Sequence, residues 1–405
     1  MVSNVSIVNQ MYDEMTDALI RVFNEDFYVK KAIMRSFKDN KHWDDSVKRT
    51  FSDMIYDIVR YWRFLWHILD MDPSLRKEDV RLLIDMYVFY KAGRTSERFE
   101  INGIDRRQFE KILRDAQNER VLRESIPDWL DDLGVNEFSE RWDALLKALN
   151  RKPPIVIRTN TLKISTDDLI RTLRNEGIHI KRVEQMADAL IITDRINIFD
   201  LKSFKEGLFE MQNDASQMVS IFLGAEPGMR VIDVCAGEGG KTLHLAALMQ
   251  NKGKIIALDT KEWKLKELHR RAVKASAENI EMRLIDSSKA YKRLKETADR
   301  VLLDVPCSGL GTIRRNPDIK WKLTPATLQR LIELQQDLLT THFPLVRKGG
   351  KMVYSVCSIL SSEGEQQVRT FLQRHGNIFH LIEEKRYWPD TDDTDGFYMA
   401  LLQRI

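Results

Sequence analysis

RVIDVCAGEGGKT, residues 230–242, is the stretch that decides the fold. It opens on an apolar run without polar alternation, as expected of a strand buried on both faces of a sheet. The run ends at Asp233, and a glycine-rich turn follows before a helix begins. Gly237, Gly239 and Gly240 let the backbone turn tightly and approach a ligand, while the helix start offers free N–H donors. The spacing is not that of a Walker A loop, which needs four residues between its first glycine and Gly-Lys-Ser/Thr. By itself such a turn is equally a plain connection between strand and helix.

The text on either side repeats the pattern. KIIALD (254–259), IEMRLID (280–286), RVLLDVP (300–306) and KMVYSVC (351–357) read as further buried strands. Amphipathic segments at Glu262–Ala277 and Pro325–Val346 lie between them. Alternating strands and helices of this kind predict an α/β fold, a Rossmann-like parallel sheet covered by helices. Upstream, Pro153-Pro154 opens a smaller α+β unit: IVIRTNTL as a strand, Asp167–Glu176 as a short helix, then short strands to about Phe199. The first ~120 residues read as helical. From Phe51 to Leu69, Met54, Ile55, Ile58, Val59, Trp62, Leu65, Trp66 and Leu69 fall at helical spacing, which predicts an aromatic-rich bundle core. SIPDWLDDLG (125–134) predicts a short helix closed by Gly134 at a domain join. The expected parts are a helical region 1–124, linker helices with the α+β unit 125–210, and a catalytic domain 211–405.

Charge is distributed unevenly. Residues 1–150 carry 24 Lys and Arg against 28 Asp and Glu, whereas 151–405 carry 40 against 33. The basic excess sits in the C-terminal part, as a polyanion-binding protein would have it. No apolar run reaches the roughly eighteen residues of a membrane span. MVSNVSIVNQ has no basic region leading into an apolar stretch, so no secretory leader is expected and the cytoplasm is the expected compartment. Cys235, Cys307 and Cys357 show neither CxxC spacing nor a His pair nearby, so no metal site is expected.

Ligands of such sheets bind at the carboxyl ends of the strands. Asp259 ends the second strand and can accept hydrogen bonds from both ribose hydroxyls of an adenosine cofactor; Asp286 and Asp304 end the third and fourth. For any one of them alone a helix cap is the commoner role; three in register after a glycine turn point instead to an adenosine-containing ligand. Cys307 and Cys357 stand at adjacent strand ends, where substrate and cofactor meet. Carbon 5 of cytosine is too weak a nucleophile to take a sulfonium methyl unaided. A thiolate added at carbon 6 makes carbon 5 enamine-like, and a base must later remove the carbon 5 proton so that the thiolate can leave. Two cysteines and a carboxylate suit those steps. Amino-group methyltransferases need no thiol, and their Asp-Pro-Pro-aromatic turn is absent from the sequence.

DVPCSGLGTIRRNPDIKW (304–321) and VYSVCSI (353–359), with RTNTLK (158–163), QNDASQMVS (212–220) and DGFYMALLQR (395–404), resemble the Sun/RsmB-type family of RNA (cytosine-5) methyltransferases over roughly 125–405. Residues 39–69 resemble, more loosely, the NusB-like helical domain of its ribosomal-RNA members. The resemblance implies S-adenosylmethionine (SAM) as cofactor and RNA as substrate, 16S ribosomal RNA foremost, with the protein working as a monomer. It implies Cys357 as nucleophile, Cys307 as the group assisting proton removal and release, and Asp304, with Lys241 nearby, as the contact to ring nitrogen 3. Cys235, Ala236, Gly237, Glu238, Gly239, Gly240, Lys241, Asp259, Asp286 and Asp304 would surround SAM. DNA cytosine methyltransferases use the Pro-Cys thiol as nucleophile, which leaves the exchanged assignment open. Ala236-Gly237-Glu238 departs from the family's usual Ala-Ala-Pro. A transfer-RNA substrate and an inert RNA-binding assembly factor are the competing functions, and the intact Cys307, Cys357, Asp304 and Lys241 speak against the second.

Overall fold

The computed structural model describes residues 4–405 apart from 26, 92–99, 185, 195 and 288. Residues 1–3 of the opening stretch read for a leader lie outside them. Among the described residues no helix is long and apolar enough to cross a membrane. The chain forms two compact units: residues 1–151 with 313–324, and residues 152–312 with 325–405.

The first unit is a bundle of helices. Asn4–Asn24, Val29–Asp39, Asp45–Arg60, Trp62–Ile68 and Lys77–Lys91 precede a two-residue hairpin, β1 (Glu100–Ile101) and β2 (Ile104–Asp105). Arg106–Asn118, Arg120–Arg123, Asp128–Phe138 and Trp142–Asn150 follow. Asp44 and Asp105 cap their helices by accepting from the backbone N–H of Val47 and Gln108, at 2.9 and 2.8 Å. The helical pattern read over Phe51–Leu69 is interrupted at Tyr61, where one helix ends and the next starts. Its apolar face is bundle core: Trp62 stacks on Phe23 with centroids 3.8 Å apart and meets Trp66 edge-on at 5.5 Å. Both tryptophans are buried, which leaves them unavailable to stack on a base. Gly134 does not end its helix, which continues to Phe138. A Cβ there would lie 2.0 Å from the Trp142 indole, so glycine is required for that close approach rather than for a stop.

The segment 313–324 belongs to this helical unit, although sequence alone reads it as the tail of the Cys307 motif. Lys320, 1% exposed, is enclosed there; its Nζ donates to the carbonyls of Arg60 (2.8 Å), Glu124 (3.1 Å) and Ser125 (2.8 Å) and to Asn150 Oδ1 (3.1 Å). Trp321 Nε1 donates to the Val59 carbonyl at 2.7 Å.

The second unit carries two sheets. The smaller consists of β3 (Ile155–Thr159), β4 (Ile180–Arg182), β5 (Ala189–Ile192) and β6 (Phe209–Met211), antiparallel in the order β4-β5-β3-β6. The larger consists of β7 (Arg230–Asp233), β8 (Lys254–Asp259), β9 (Ile280–Leu284), β10 (Ala298–Asp304), β11 (Val346–Val356), β12 (Phe379–Tyr387) and β13 (Phe397–Arg404). Their order is β12-β13-β11-β10-β7-β8-β9, with β13 antiparallel to both neighbours and the remaining pairs parallel. This is the Rossmann-like arrangement. β7, β8, β10 and β11 bury Val231, Ile256, Leu302 and Val353 completely or nearly so. β9 differs: it is the sheet edge, its side chains are half-buried or exposed, and its run is not that of a doubly covered strand. Strand order reverses between β7 and β10, which opens a crevice at their carboxyl ends.

Candidate active site at the carboxyl ends of the strands

The loop after β7 is pinned across that crevice by its backbone. Val234 N donates to the Leu302 carbonyl (3.0 Å) and Ala236 N to the Leu258 carbonyl (2.9 Å), one on each flanking strand. Gly237 and Gly239 adopt φ of 57° and 87°, the left-handed region that favours glycine. Gly237 N–H donates to Asp259 Oδ2 at 2.9 Å, while Asp259 Oδ1 accepts from Lys261 N–H at 2.8 Å. Asp259 thus faces the glycine loop from the end of β8, with oxygen lone pairs left over for a ligand. Glu238 is exposed, and its carbonyl accepts from Arg271 at 2.8 Å. Gly240 opens the helix Gly240–Leu248, and its carbonyl accepts from Arg158 at 2.9 Å. Arg158 also holds Gln212, so two separate motifs, RTNTLK and QNDASQ, meet beneath the loop.

Two carboxyls at the strand ends behave differently. Asp233 is buried, and its pKa is pushed up to about 7, chiefly by burial, against the opposing effect of the Thr242 hydroxyl that donates to it at 2.7 Å. Its Oδ1 has no partner among the described residues. Asp304, at the end of β10, accepts from Lys241 Nζ at 2.7 Å and from Ser355 Oγ at 2.9 Å. Lys241 lies in the first turn of its helix, where the dipole disfavours a cation, and the Asp304 carboxylate offsets that cost. Asp286 stands apart. It lies two residues beyond β9, exposed, with Ser287 as its hydrogen-bond partner at 3.1 Å.

Cys307 and Cys357 come together, Sγ to Sγ 3.3 Å, from loops after neighbouring strands β10 and β11. The hydrogen bond with Cys357, reinforced by burial, raises the Cys307 pKa well above the usual thiol value; the Glu363 carboxylate adds to the effect. Cys235 is half-buried in the glycine loop, and its thiol is likewise pushed up, by desolvation first and then by Asp233, Asp304 and Asp259. The site therefore gathers Cys307, Cys357, Asp304 and Lys241 at one end of the sheet, with the glycine loop and Asp259 along the crevice. Glu363, Ser308 and Ser358, which link the two cysteine loops, were not singled out from the sequence. The signal was present: Cys307-Ser308-Gly309-Leu310 and Cys357-Ser358-Ile359-Leu360 share the pattern Cys-Ser-x-Leu.

Comparison with known proteins places the chain among RNA methyltransferases. The family described as 16S rRNA methyltransferase RsmB/F matches residues 220–403, and the ferredoxin-like domain of RsmF/B-like methyltransferases matches 126–199. The small α+β sheet is that ferredoxin-like domain. A probable ribosomal RNA small subunit methyltransferase B of Synechocystis sp. is 37% identical over 258 residues, covering 62% of this chain and 57% of that protein. The ribosomal RNA small subunit methyltransferase B of Serratia proteamaculans is 32% identical over 321 residues, 75% of this chain and 73% of that one. The crystal structure of PH0851 superposes with a TM-score of 0.78 at 27% identity, over 97% of this chain and 98% of that chain. With the paired cysteine loops, the glycine turn and these matches in hand, the chain belongs to the RsmB/F family of RNA methyltransferases.

Proposed function

We propose that the protein transfers a methyl group from SAM to carbon 5 of a cytosine in 16S ribosomal RNA through a covalent cysteine–cytosine adduct. The observation that carries this reading is the approach of two thiols to 3.3 Å beside the Lys241–Asp304 pair. Methyl transfer to an amino group or to a ribose hydroxyl would have no use for that pair.

The residues suit SAM: left-handed glycines bring backbone close to a ligand, and Asp259 offers carboxylate lone pairs beside the loop. Cys235–Lys241, Asp259 and Asp304 would hold it, whereas exposed Asp286 contributes at most from the rim. When bound, SAM supplies an electrophilic methyl on a positively charged sulfur.

In the proposed sequence Cys357 adds as thiolate to carbon 6. Ring nitrogen 3 takes up the proton that the Cys357 thiol gives up on adding, Asp304 accepts a hydrogen bond from that N–H, and Lys241 keeps the carboxylate oriented. Carbon 5, now enamine-like, accepts the methyl. Cys307 is held protonated first of all by its neighbour Cys357. Once the Cys357 sulfur is bonded to carbon, that influence is gone; Cys307 then gives up its own proton to solvent, and its thiolate takes the carbon 5 proton as the carbon 6–sulfur bond breaks and Cys357 leaves as thiolate. The base must be presented outside a duplex, so the target lies in a loop or an opened helix. The helical residues 1–124 would select the RNA.

Bisulfite sequencing of total RNA from cells with and without the gene tests this reading. One protected cytosine in 16S rRNA that becomes convertible on deletion is the expected result. A lost mark in transfer RNA would move the substrate, and no lost mark anywhere would leave an RNA-binding assembly factor.

A further inference from the structure

Beneath the two thiols lies a buried carboxylate that the proposed chemistry does not use. Glu363 is 0% exposed, and donors converge on it from both cysteine loops. Ser308 N–H donates to Oε1 at 2.8 Å, and the Ser308 hydroxyl donates to Oε2. The Ser358 hydroxyl donates to the same Oε2, and Gln335 Nε2 to Oε1 at 2.9 Å. Gln335 also donates to the Pro306 carbonyl at 3.0 Å, one residue before Cys307. The backbone of Glu363 is anchored as well, its carbonyl accepting from Tyr354 OH at 2.6 Å.

The two loops are built alike around this group. Each serine directly follows its cysteine and accepts from the N–H two residues on, Leu310 to Ser308 at 3.3 Å and Leu360 to Ser358 at 3.2 Å. Each then donates its hydroxyl to Glu363. The serine oxygens stand 3.3 Å apart, as do the sulfurs of the preceding residues. We propose that Glu363 is a positioning residue for methyl transfer, a buried clasp whose carboxylate ties the Cys307 and Cys357 turns together and so sets both thiols against one base.

Chemistry explains why a carboxylate stands there. Both of its oxygens only accept, so it can satisfy an N–H, two hydroxyls and an amide at once, which a glutamine cannot do without turning an NH2 group towards donors. A charge this deeply buried is tolerated when hydrogen bonds surround it. One sulfur must bond to carbon 6 while the other reaches the neighbouring carbon 5 proton, so the spacing between the thiols is itself a catalytic requirement. A misplacement of about 1 Å can cost on the order of a hundredfold in rate.

The significance of the clasp for catalysis rests on the covalent reading above, but the clasp itself can be tested apart from it. Dibromobimane becomes strongly fluorescent only when both of its arms have alkylated thiols, and peptide mapping identifies a Cys307–Cys357 bridge. In the full-length protein the bridge should form readily. Glu363→Gln should slow it about tenfold or more, and Ser358→Ala, a milder change with little risk to folding, by a smaller factor, while SAM affinity stays within about twofold. Single-turnover adduct formation on RNA carrying 5-fluorocytosine should fall in parallel, with the Michaelis constant for RNA unchanged. The double variant should be no slower than Glu363→Gln alone, since both act through one clasp. Bridging at the wild-type rate in both single variants would overturn the proposal. Efficient bridging in the wild type without any adduct would keep the clasp and sink the covalent mechanism instead.

Discussion

The Sγ atoms of Cys307 and Cys357 lie 3.3 Å apart across fifty residues of sequence, each on the loop that leaves one of two adjacent parallel strands. Their closeness makes substitution the way to tell their roles apart. Cys357→Ala should abolish methylation and every covalent protein–RNA species. Cys307→Ala should permit attack and methyl transfer but stall release, leaving an adduct that survives denaturing electrophoresis. Adduct from Cys357→Ala and none from Cys307→Ala would exchange the two roles.

Asp259 is bound to the glycine loop through Gly237 N–H, so its loss should loosen the loop and also remove the acceptor proposed for the cofactor. Asp259→Ala should weaken SAM binding by about 1–3 kcal/mol. Titration calorimetry showing unchanged affinity would remove Asp259 from the cofactor site.

Asp233 should give the fold a pH dependence. Burial raises its folded pKa to about 7, above the ordinary carboxyl value of 3.8. Between those values the folded chain holds a proton that the unfolded chain releases. Its contribution is therefore fully present below about pH 4 and is lost as pH rises towards 7, by an amount on the order of a few kcal/mol. Asp233→Asn should flatten this slope and gain stability at pH 8 relative to the wild type. Denaturant titrations of both proteins at pH 5.5 and 8 would show it; parallel pH profiles would contradict it.

Lys320 should be costly to replace. Lys320→Met keeps an apolar stem but leaves the carbonyls of Arg60, Glu124 and Ser125 and the Asn150 amide oxygen without that donor. We expect a loss of about 2–4 kcal/mol, visible as a lower thermal midpoint of the helical unit. An unchanged midpoint would mean that relaxation or water satisfies those oxygens.

How much was legible follows from how local each signal is. The buried strands, the glycine turn and the strand-end acids are runs of neighbouring residues, and periodicity exposes them. Gly134 was misread as a helix stop because its reason is the Trp142 indole, a contact no local pattern carries. Lys320 and Trp321 sit in the stretch IRRNPDIKWK, which the sequence reads only as the end of the Cys307 motif, because their acceptors are oxygens more than a hundred and fifty residues away in sequence. Asp286 read like Asp259, but β9 is the edge of the sheet and leaves it in solvent.

By itself, the sequence determined which groups are available: a parallel sheet with a glycine turn, two cysteines each followed by Ser and one of them preceded by Pro, and acids at the strand ends. Only the tertiary structure decided which of them meet. Register between β10 and β11 pairs Asp304 with Ser355 and carries the two cysteine loops off side by side. The first turn of the helix Gly240–Leu248 brings Lys241 to Asp304. Glu363, an ordinary acid in SSEGEQ, becomes the joint of both loops because burial leaves its charge only protein donors, and the serines beside each cysteine are those donors.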